Sequence, residues 1–135
     1  MNWEPLLTAA RDARRHSHSP YSRFAVGAAV ATADGTIFAG ANVENRSYGV
    51  TLCAERSAFA AAVSAGHRSF AAVAIVTESS PPAAPCGLCR ETMAEFCAPT
   101  MPILLANPQG ERRETSLAEI FPLPFQFQPG ETSAS

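Results

Sequence analysis

The chain predicts an α/β fold of five strands and four helices, and three observations carry that prediction. Stretches with apolar residues at helical spacing alternate with short β-capable runs. One of those runs, Phe70 to Thr77, is apolar almost without interruption, the pattern of a strand covered on both faces. Finally, Asn107-Pro108-Gln109-Gly110 is so tight a link that the strands on either side of it, strands 4 and 5, must be antiparallel neighbours.

Taken in order, Leu6, Leu7, Ala10 and Ala13 follow Pro5 at helical spacing, so residues 5–16 predict an amphipathic helix with proline in its first turn. His16-Ser17-His18-Ser19-Pro20 ends it. Residues 25–33 and 36–41 predict two antiparallel strands around Asp34-Gly35, a two-residue hairpin signal that needs positive φ. A loop over 41–49 leads to an alanine-rich helix over 52–65, closed by Gly66. After the buried strand and a proline-rich loop over 78–85, Pro85 opens a helix over 86–97. Residues 102–106 and 111–115 form the last strand pair, and Ser116 with Glu119 is a capping box for a short final helix. The Pro/Phe-rich segment 121–128 precedes a tail, about 129–135, whose composition predicts disorder.

At 135 residues with 47% hydrophobic content, the chain is long enough for a single domain, 1–135, with a real core and too short for two. A formal charge of -2 leaves no electrostatic footprint for a nucleic-acid backbone and favours a small-molecule partner. The start lacks the basic and apolar regions of a leader, and no apolar run approaches the ~18 residues that span a bilayer, so no membrane is expected and the cytoplasm is the default compartment.

The chemistry concentrates in Cys53-Ala54-Glu55 and Pro85-Cys86-Gly87-Leu88-Cys89-Arg90. Helix N-termini stabilise thiolate, so two helices aimed at one point would gather Cys53, Cys86 and Cys89 as three zinc ligands and leave the fourth corner to water. Cys97 stands near the far end of the helix that begins at Cys86, roughly 16 Å along its axis at 1.5 Å per residue, which makes it a core thiol rather than a ligand. Glu55 suits a proton shuttle beside the metal. Arg56 suits a donor to thiolate sulfur that offsets the net charge of -1 left by three thiolates on Zn2+. A disulfide scaffold, or a redox pair at Cys86 and Cys89, remains open on spacing alone, although the redox pair leaves Cys53 and Glu55 without a role. Three cysteines with such a glutamate are the known signature of zinc deaminases.

On these residues the chain resembles the cytidine deaminase family, in its small three-cysteine form. Further blocks carry the resemblance: Pro20-Tyr21-Ser22-Arg23-Phe24 running into Ala25 to Ala29, Asn42-Val43-Glu44-Asn45, Ser47-Tyr48-Gly49, and Phe121-Pro122-Leu123-Pro124-Phe125. The resemblance implies a three-layer fold, a mixed five-stranded sheet with helices on both faces. It also implies a homotetramer with shared active sites. The activity implied is zinc-dependent hydrolytic deamination of cytidine and 2'-deoxycytidine in pyrimidine salvage, with one Zn2+ per subunit. Residue by residue, Cys53, Cys86 and Cys89 match the zinc ligands and Glu55 the shuttle. Asn42 and Glu44 match the pair that grips the sugar hydroxyls, and Phe24 matches a residue packed on the nucleoside. Ala54 matches a backbone contact to the pyrimidine, and Phe125 an aromatic ring that stacks on it from another subunit. A relative acting on another aminated heterocycle is the nearest alternative, followed by a nucleic-acid-editing deaminase and a non-catalytic zinc module. His18, Arg46, Glu91 and Met93 depart from the family pattern without touching a ligand or the shuttle.

Overall fold

In the computed structural model, residues 1–127 are described, so the tail expected at 129–135 lies outside the described residues. The elements run α1 (Glu4–Arg14), β1 (Gly27–Thr32), β2 (Ile37–Ala41), a 3-10 turn at Tyr48–Val50, α2 (Ala54–Ser64), β3 (Phe70–Val76), α3 (Gly87–Phe96), β4 (Pro102–Ala106), β5 (Arg112–Ser116) and α4 (Leu117–Ile120). The sheet order is β2-β1-β3-β4-β5. Strands β3 and β4 are parallel, while the β1–β2, β1–β3 and β4–β5 pairs are antiparallel, which makes the sheet mixed. A parallel pair needs a crossover, and α3 supplies it.

Both faces of the sheet are covered, as the uninterrupted apolar character of β3 demands. Val73 and Ile75 point to the face that carries Ala58, Phe59 and Ala62 of α2 and Met93 of α3. Ala72, Ala74 and Val76 point to the opposite face, beneath Leu6, Leu7 and Ala10 of α1. That alternation is the period of 2 of a strand, read here with apolar residues at every position. Gly27 lets α1 approach this closely: a Cβ there would lie 2.0 Å from the carbonyl oxygen of Ala10.

The hairpin differs from its expected form. Thr32 and Thr36 pair across the turn, with Thr32 N–H donating to Thr36 O at 2.8 Å, and enclose a three-residue loop, Ala33-Asp34-Gly35. Only Gly35 takes positive φ, at 92°. A type I turn followed by a left-handed glycine needs one such residue, whereas the two-residue loop generally needs two. Asp34 stays on the ordinary side because its carboxylate is occupied. It accepts from the Thr32 hydroxyl, from Thr36 N–H at 3.1 Å and from the Thr36 hydroxyl at 2.9 Å. Those bonds, the Thr32 hydroxyl first, hold its pKa at about 2, below the ordinary 3.8. A depressed carboxyl contributes stability above its unfolded pKa and loses it as pH falls through the folded one. Asp34→Ala is therefore expected to lower the urea midpoint at pH 7, and the gap from the parent should close as pH drops from about 3.8 towards 2.

The helices begin and end within two residues of their expected bounds, with one consequence for the site. Cys53 and Cys86 are the N-caps of α2 and α3, with extended backbone, rather than members of the first turn. Cys97 caps the C-terminus of α3 and is half-buried against the main core, less enclosed than a core thiol. Burial raises its pKa to about 12. The capping residue Ser116 accepts from Glu119 N–H at 3.3 Å, as its spacing predicts. Among the described residues no helix is long and apolar enough to cross a membrane.

Candidate active site

The N-termini of α2 and α3 converge. The Sγ atoms of Cys53 and Cys86 are 3.6 Å apart, those of Cys86 and Cys89 are also 3.6 Å apart, and all three lie within 4.8 Å of one another. Two sulfurs at the zinc–thiolate distance of about 2.3 Å and a tetrahedral angle would be separated by about 3.8 Å. A disulfide needs about 2.05 Å, and all four cysteines are free. The thiols therefore fit a metal and not a bridge. Local electrostatics agree: the neighbouring thiols of Cys89 and Cys86, with the Arg56 guanidinium, lower the Cys53 pKa and favour its thiolate. Cys89, fully enclosed beside it, is shifted upward.

Arg56 sits in the first turn of α2, and its Nη2 donates to Thr51 O at 2.6 Å. Its Nε–H is buried and has no partner. A guanidinium N–H kept out of water beside a lowered thiol is consistent with a donor to a thiolate cluster. Glu55, at 5% exposure, is the most secluded carboxyl in the site. Burial raises its pKa above the ordinary carboxylate range, and the charge on Cys53 pushes the same way. A divalent cation at the thiols would act in the opposite sense and favour the carboxylate.

Of these groups, Cys53, Cys86 and Glu55, but not Arg56, border a cavity of about 310 Å³. Its walls bring together Phe24, Asn42, Glu44, Cys53, Ala54, Glu55 and Cys86, residues drawn from four separate stretches of sequence. Cys89 lies behind the wall, buried within the core. Phe125 is 78% exposed and, within a single chain, does not border the cavity.

A small backbone ladder joins Asn42 and Glu44 to the first thiol. Val43 exchanges two hydrogen bonds with Leu52, both 2.9 Å, and so ties the Asn42–Glu44 segment to the residue before Cys53. On its other side, His18 N–H donates to Asn42 O at 3.0 Å and Glu44 N–H donates to His18 O at 2.7 Å. His18 thus serves the site through its backbone. Arg46 and Glu91 are exposed, and Met93 fills the core between α3 and the sheet.

The polar atoms of the pair are nearly saturated. Asn42 Oδ1 accepts from the Ser17 hydroxyl and from Val26 N–H at 3.0 Å, and Nδ2 donates one hydrogen to Phe24 O at 2.8 Å. Glu44 Oε1 accepts from Tyr21 N–H at 3.0 Å and Ser22 N–H at 3.1 Å, and Oε2 accepts from the Ser22 hydroxyl. These bonds, the Ser22 hydroxyl above all, hold the Glu44 pKa below its ordinary value. An amide has two donors and a carboxylate oxygen about two acceptor positions. What remains is one N–H on Asn42 and one acceptor position on Glu44 Oε2. Sequence reasoning placed the pair but not the hydroxyls of Ser17 and Ser22 that occupy it. Ser22 stood in plain view in the Pro20–Phe24 block, yet no spacing rule pairs position 22 with position 44.

Residues 1–105 match the family model for the cytidine and deoxycytidylate deaminase zinc-binding region. The chain belongs to this family. Among its deaminase relatives, the cytidine deaminase of Sporosarcina psychrophila is 48% identical over 122 residues, covering 90% of each chain. That of Halalkalibacterium halodurans is 44% identical over 122 residues, covering 90% of this chain and 92% of its own. The crystal structure of cytidine deaminase from Burkholderia pseudomallei superposes with a TM-score of 0.89 at 48% identity, covering 93% of this chain and all of that one. Membership in this zinc deaminase family, with the thiol geometry above, makes zinc the cofactor and Cys53, Cys86 and Cys89 its candidate site.

Proposed function

We propose that this chain hydrolyses cytidine and 2'-deoxycytidine to uridine and 2'-deoxyuridine, releasing ammonia. One observation carries the reading: a single cavity is lined by two thiols of the cluster, a buried carboxyl, and a donor–acceptor pair suited to a sugar hydroxyl. The family relatives, named as cytidine deaminases, support it. When bound, zinc supplies an activated water for attack at C4 of the pyrimidine.

The residues of the chain divide the remaining work. Glu55 takes a proton from the attacking water and delivers it to the ring nitrogen N3, then passes the second proton to the departing amino group, which leaves as ammonia. Its seclusion from solvent keeps that proton between enzyme and substrate. Backbone groups at Ala54 meet the amide edge of the pyrimidine, and Phe24 packs against the nucleoside. Asn42 and Glu44 hold the sugar. Because their spare capacity is one donor and one acceptor, a single hydroxyl that accepts from Asn42 Nδ2 and donates to Glu44 Oε2 satisfies both. A site that reads one hydroxyl tolerates both ribose and deoxyribose, provided the hydroxyl it reads is common to the two. A ligand without sugar would leave this buried pair unpaired, which disfavours a free base.

In the same proposal the chain is a single domain that assembles as a homotetramer and works in cytoplasmic pyrimidine salvage. Support for assembly comes from the apolar side chains left in solvent: Tyr48, Val50, Leu52 and Leu88, with Leu123, Phe125 and Phe127 in the C-terminal segment. Patches of this kind mark interaction surfaces. Phe125 then reaches a neighbouring subunit's pyrimidine rather than its own.

The reading is tested by ammonia release from the zinc-loaded protein across cytidine, deoxycytidine, cytosine and cytosine-bearing oligonucleotides. Turnover of both nucleosides, insensitive to salt, with none on cytosine or oligonucleotides, is expected. Salt-dependent turnover of oligonucleotides would move the chain to nucleic-acid editing, and zinc without turnover of any nucleoside would make it a binding module.

A further inference from the structure

The hydroxyl of Ser22 has two bonds, one on each side of the sugar grip. It donates to Glu44 Oε2 and accepts from Phe24 N–H at 3.0 Å, and Phe24 in turn offers its carbonyl to Asn42 Nδ2 at 2.8 Å. Ser22 also gives its own N–H to Glu44 Oε1 at 3.1 Å. One residue therefore sets both carboxylate oxygens and the backbone that fixes the partner amide. The next residue, Arg23, has positive φ at 58°, the only non-glycine in the described residues to do so. A bulky side chain in that region is strained and persists where its surroundings over-determine it. The bonds from Ser22 and Asn42 to the backbone of Phe24 are such surroundings, and Arg23 N–H is tied to Ser19 O at 2.9 Å. The side chain of Ser22 meanwhile lies on the cavity wall in an exposed stretch, so the hydroxyl is not needed to fill the core.

We propose that Ser22 is a positioning residue for sugar recognition: its hydroxyl orients Glu44 so that one acceptor position on Oε2, beside the free N–H of Asn42, faces the bound nucleoside. This rests on the reading of the site as a nucleoside deaminase. The same hydroxyl favours the carboxylate form of Glu44, as the foremost cause of its lowered pKa. Without it, Oε2 has an extra open position and the carboxylate loses the bond that aims it, while the thiols, Glu55 and the zinc are untouched. The cost therefore falls on binding and not on the chemical step.

Steady-state kinetics of the parent, Ser22→Ala and Ser22→Thr proteins test this, with cytidine, 2'-deoxycytidine and 3'-deoxycytidine as substrates. Loss of one hydrogen bond to a charged group is expected to raise KM for cytidine about tenfold in Ser22→Ala with kcat within about twofold. Threonine keeps the hydroxyl and should return KM to within about threefold of the parent, the residual allowing for one added methyl. The penalty should vanish on the deoxynucleoside that lacks the hydroxyl Glu44 reads, identified as the one on which Glu44→Ala carries no penalty either. Zinc content should stay at one per chain in all variants. A fall in kcat, an equal penalty on all three nucleosides, or a threonine variant no better than alanine would each overturn the assignment. Uridine affinity measured by calorimetry supplies the same comparison without turnover. A parent protein that deaminates nothing would defeat the functional reading, while the effect of Ser22 on uridine binding would still judge this one.

Discussion

Glu55→Ala is expected to cut kcat for cytidine by about 10²–10⁴-fold, the range for loss of a general acid–base group, while the protein keeps its zinc. The prediction follows from position. Glu55 is the buried carboxyl on the cavity wall two residues after Cys53, secluded from solvent at the thiol cluster. Alanine removes the carboxyl without touching a thiol, and α2 tolerates it because the helix is alanine-rich and alanine is the best helix former. Zinc stoichiometry by mass spectrometry and nucleoside turnover by ultraviolet absorbance separate the two roles. A variant with near-normal kcat would remove Glu55 from the chemistry. One that lost its zinc as well would show that the carboxyl supports the metal instead.

The second large effect is expected at Cys89. It is the most enclosed of the three thiols, with no exposed surface, whereas Cys86 is exposed and Cys53 half-buried. Replacing it by alanine takes one of three protein ligands from the metal and leaves a small cavity behind α3. Zinc content is expected to fall from one per chain to near zero after dialysis, with activity following it. The melting temperature should fall too, because any ligand that binds only the folded state adds stability by mass action, about 2.7 kcal/mol at one hundred times its Kd. Cys97→Ala is the matched control. Cys97 ends the helix that Cys86 begins, so its loss should leave zinc at one per chain. Zinc loss in the Cys97 variant together with retention in the Cys89 variant would reverse the assignment of ligands.

Most of the fold was legible because its signals are local. The uninterrupted apolar run of β3 announced a strand covered on both faces, and the short Asn107–Gly110 link announced the antiparallel β4–β5 pair. The hairpin loop was misjudged by one residue because Asp-Gly supports two loop types. Bonds from Thr32 and Thr36 to Asp34 select the longer one, and a dipeptide rule does not contain them. In the site, the thiol cluster was legible because a short Cys-x-x-C spacing at one helix N-terminus and a third thiol at another suit a zinc tetrahedron. The placement of Cys53 and Cys86 as caps, one residue before the helices, leaves both beside Cys89.

What sequence could not supply is the pairing of residues far apart in the chain. Ser22 with Glu44, Ser17 with Asn42, and Val43 with Leu52 are tertiary facts with no periodicity behind them. They hold Asn42 and Glu44 in place and leave the pair one donor and one acceptor to spare. Phe125 marks the opposite limit. Its motif suggested a role at the pyrimidine, yet a single chain leaves it in solvent, and only a second copy would give it that role.

The central claim is that three thiols, Glu55 and the Asn42–Glu44 pair constitute one deaminating centre. Its most direct test is ammonia release from cytidine by one preparation in three states: as purified with zinc, after chelation, and after zinc is restored. The expected result is turnover in the first, none in the second, and recovery in the third in proportion to zinc bound, saturating at one per chain. Turnover that survives complete removal of the metal, or a protein with one zinc per chain that releases no ammonia from cytidine, would contradict it.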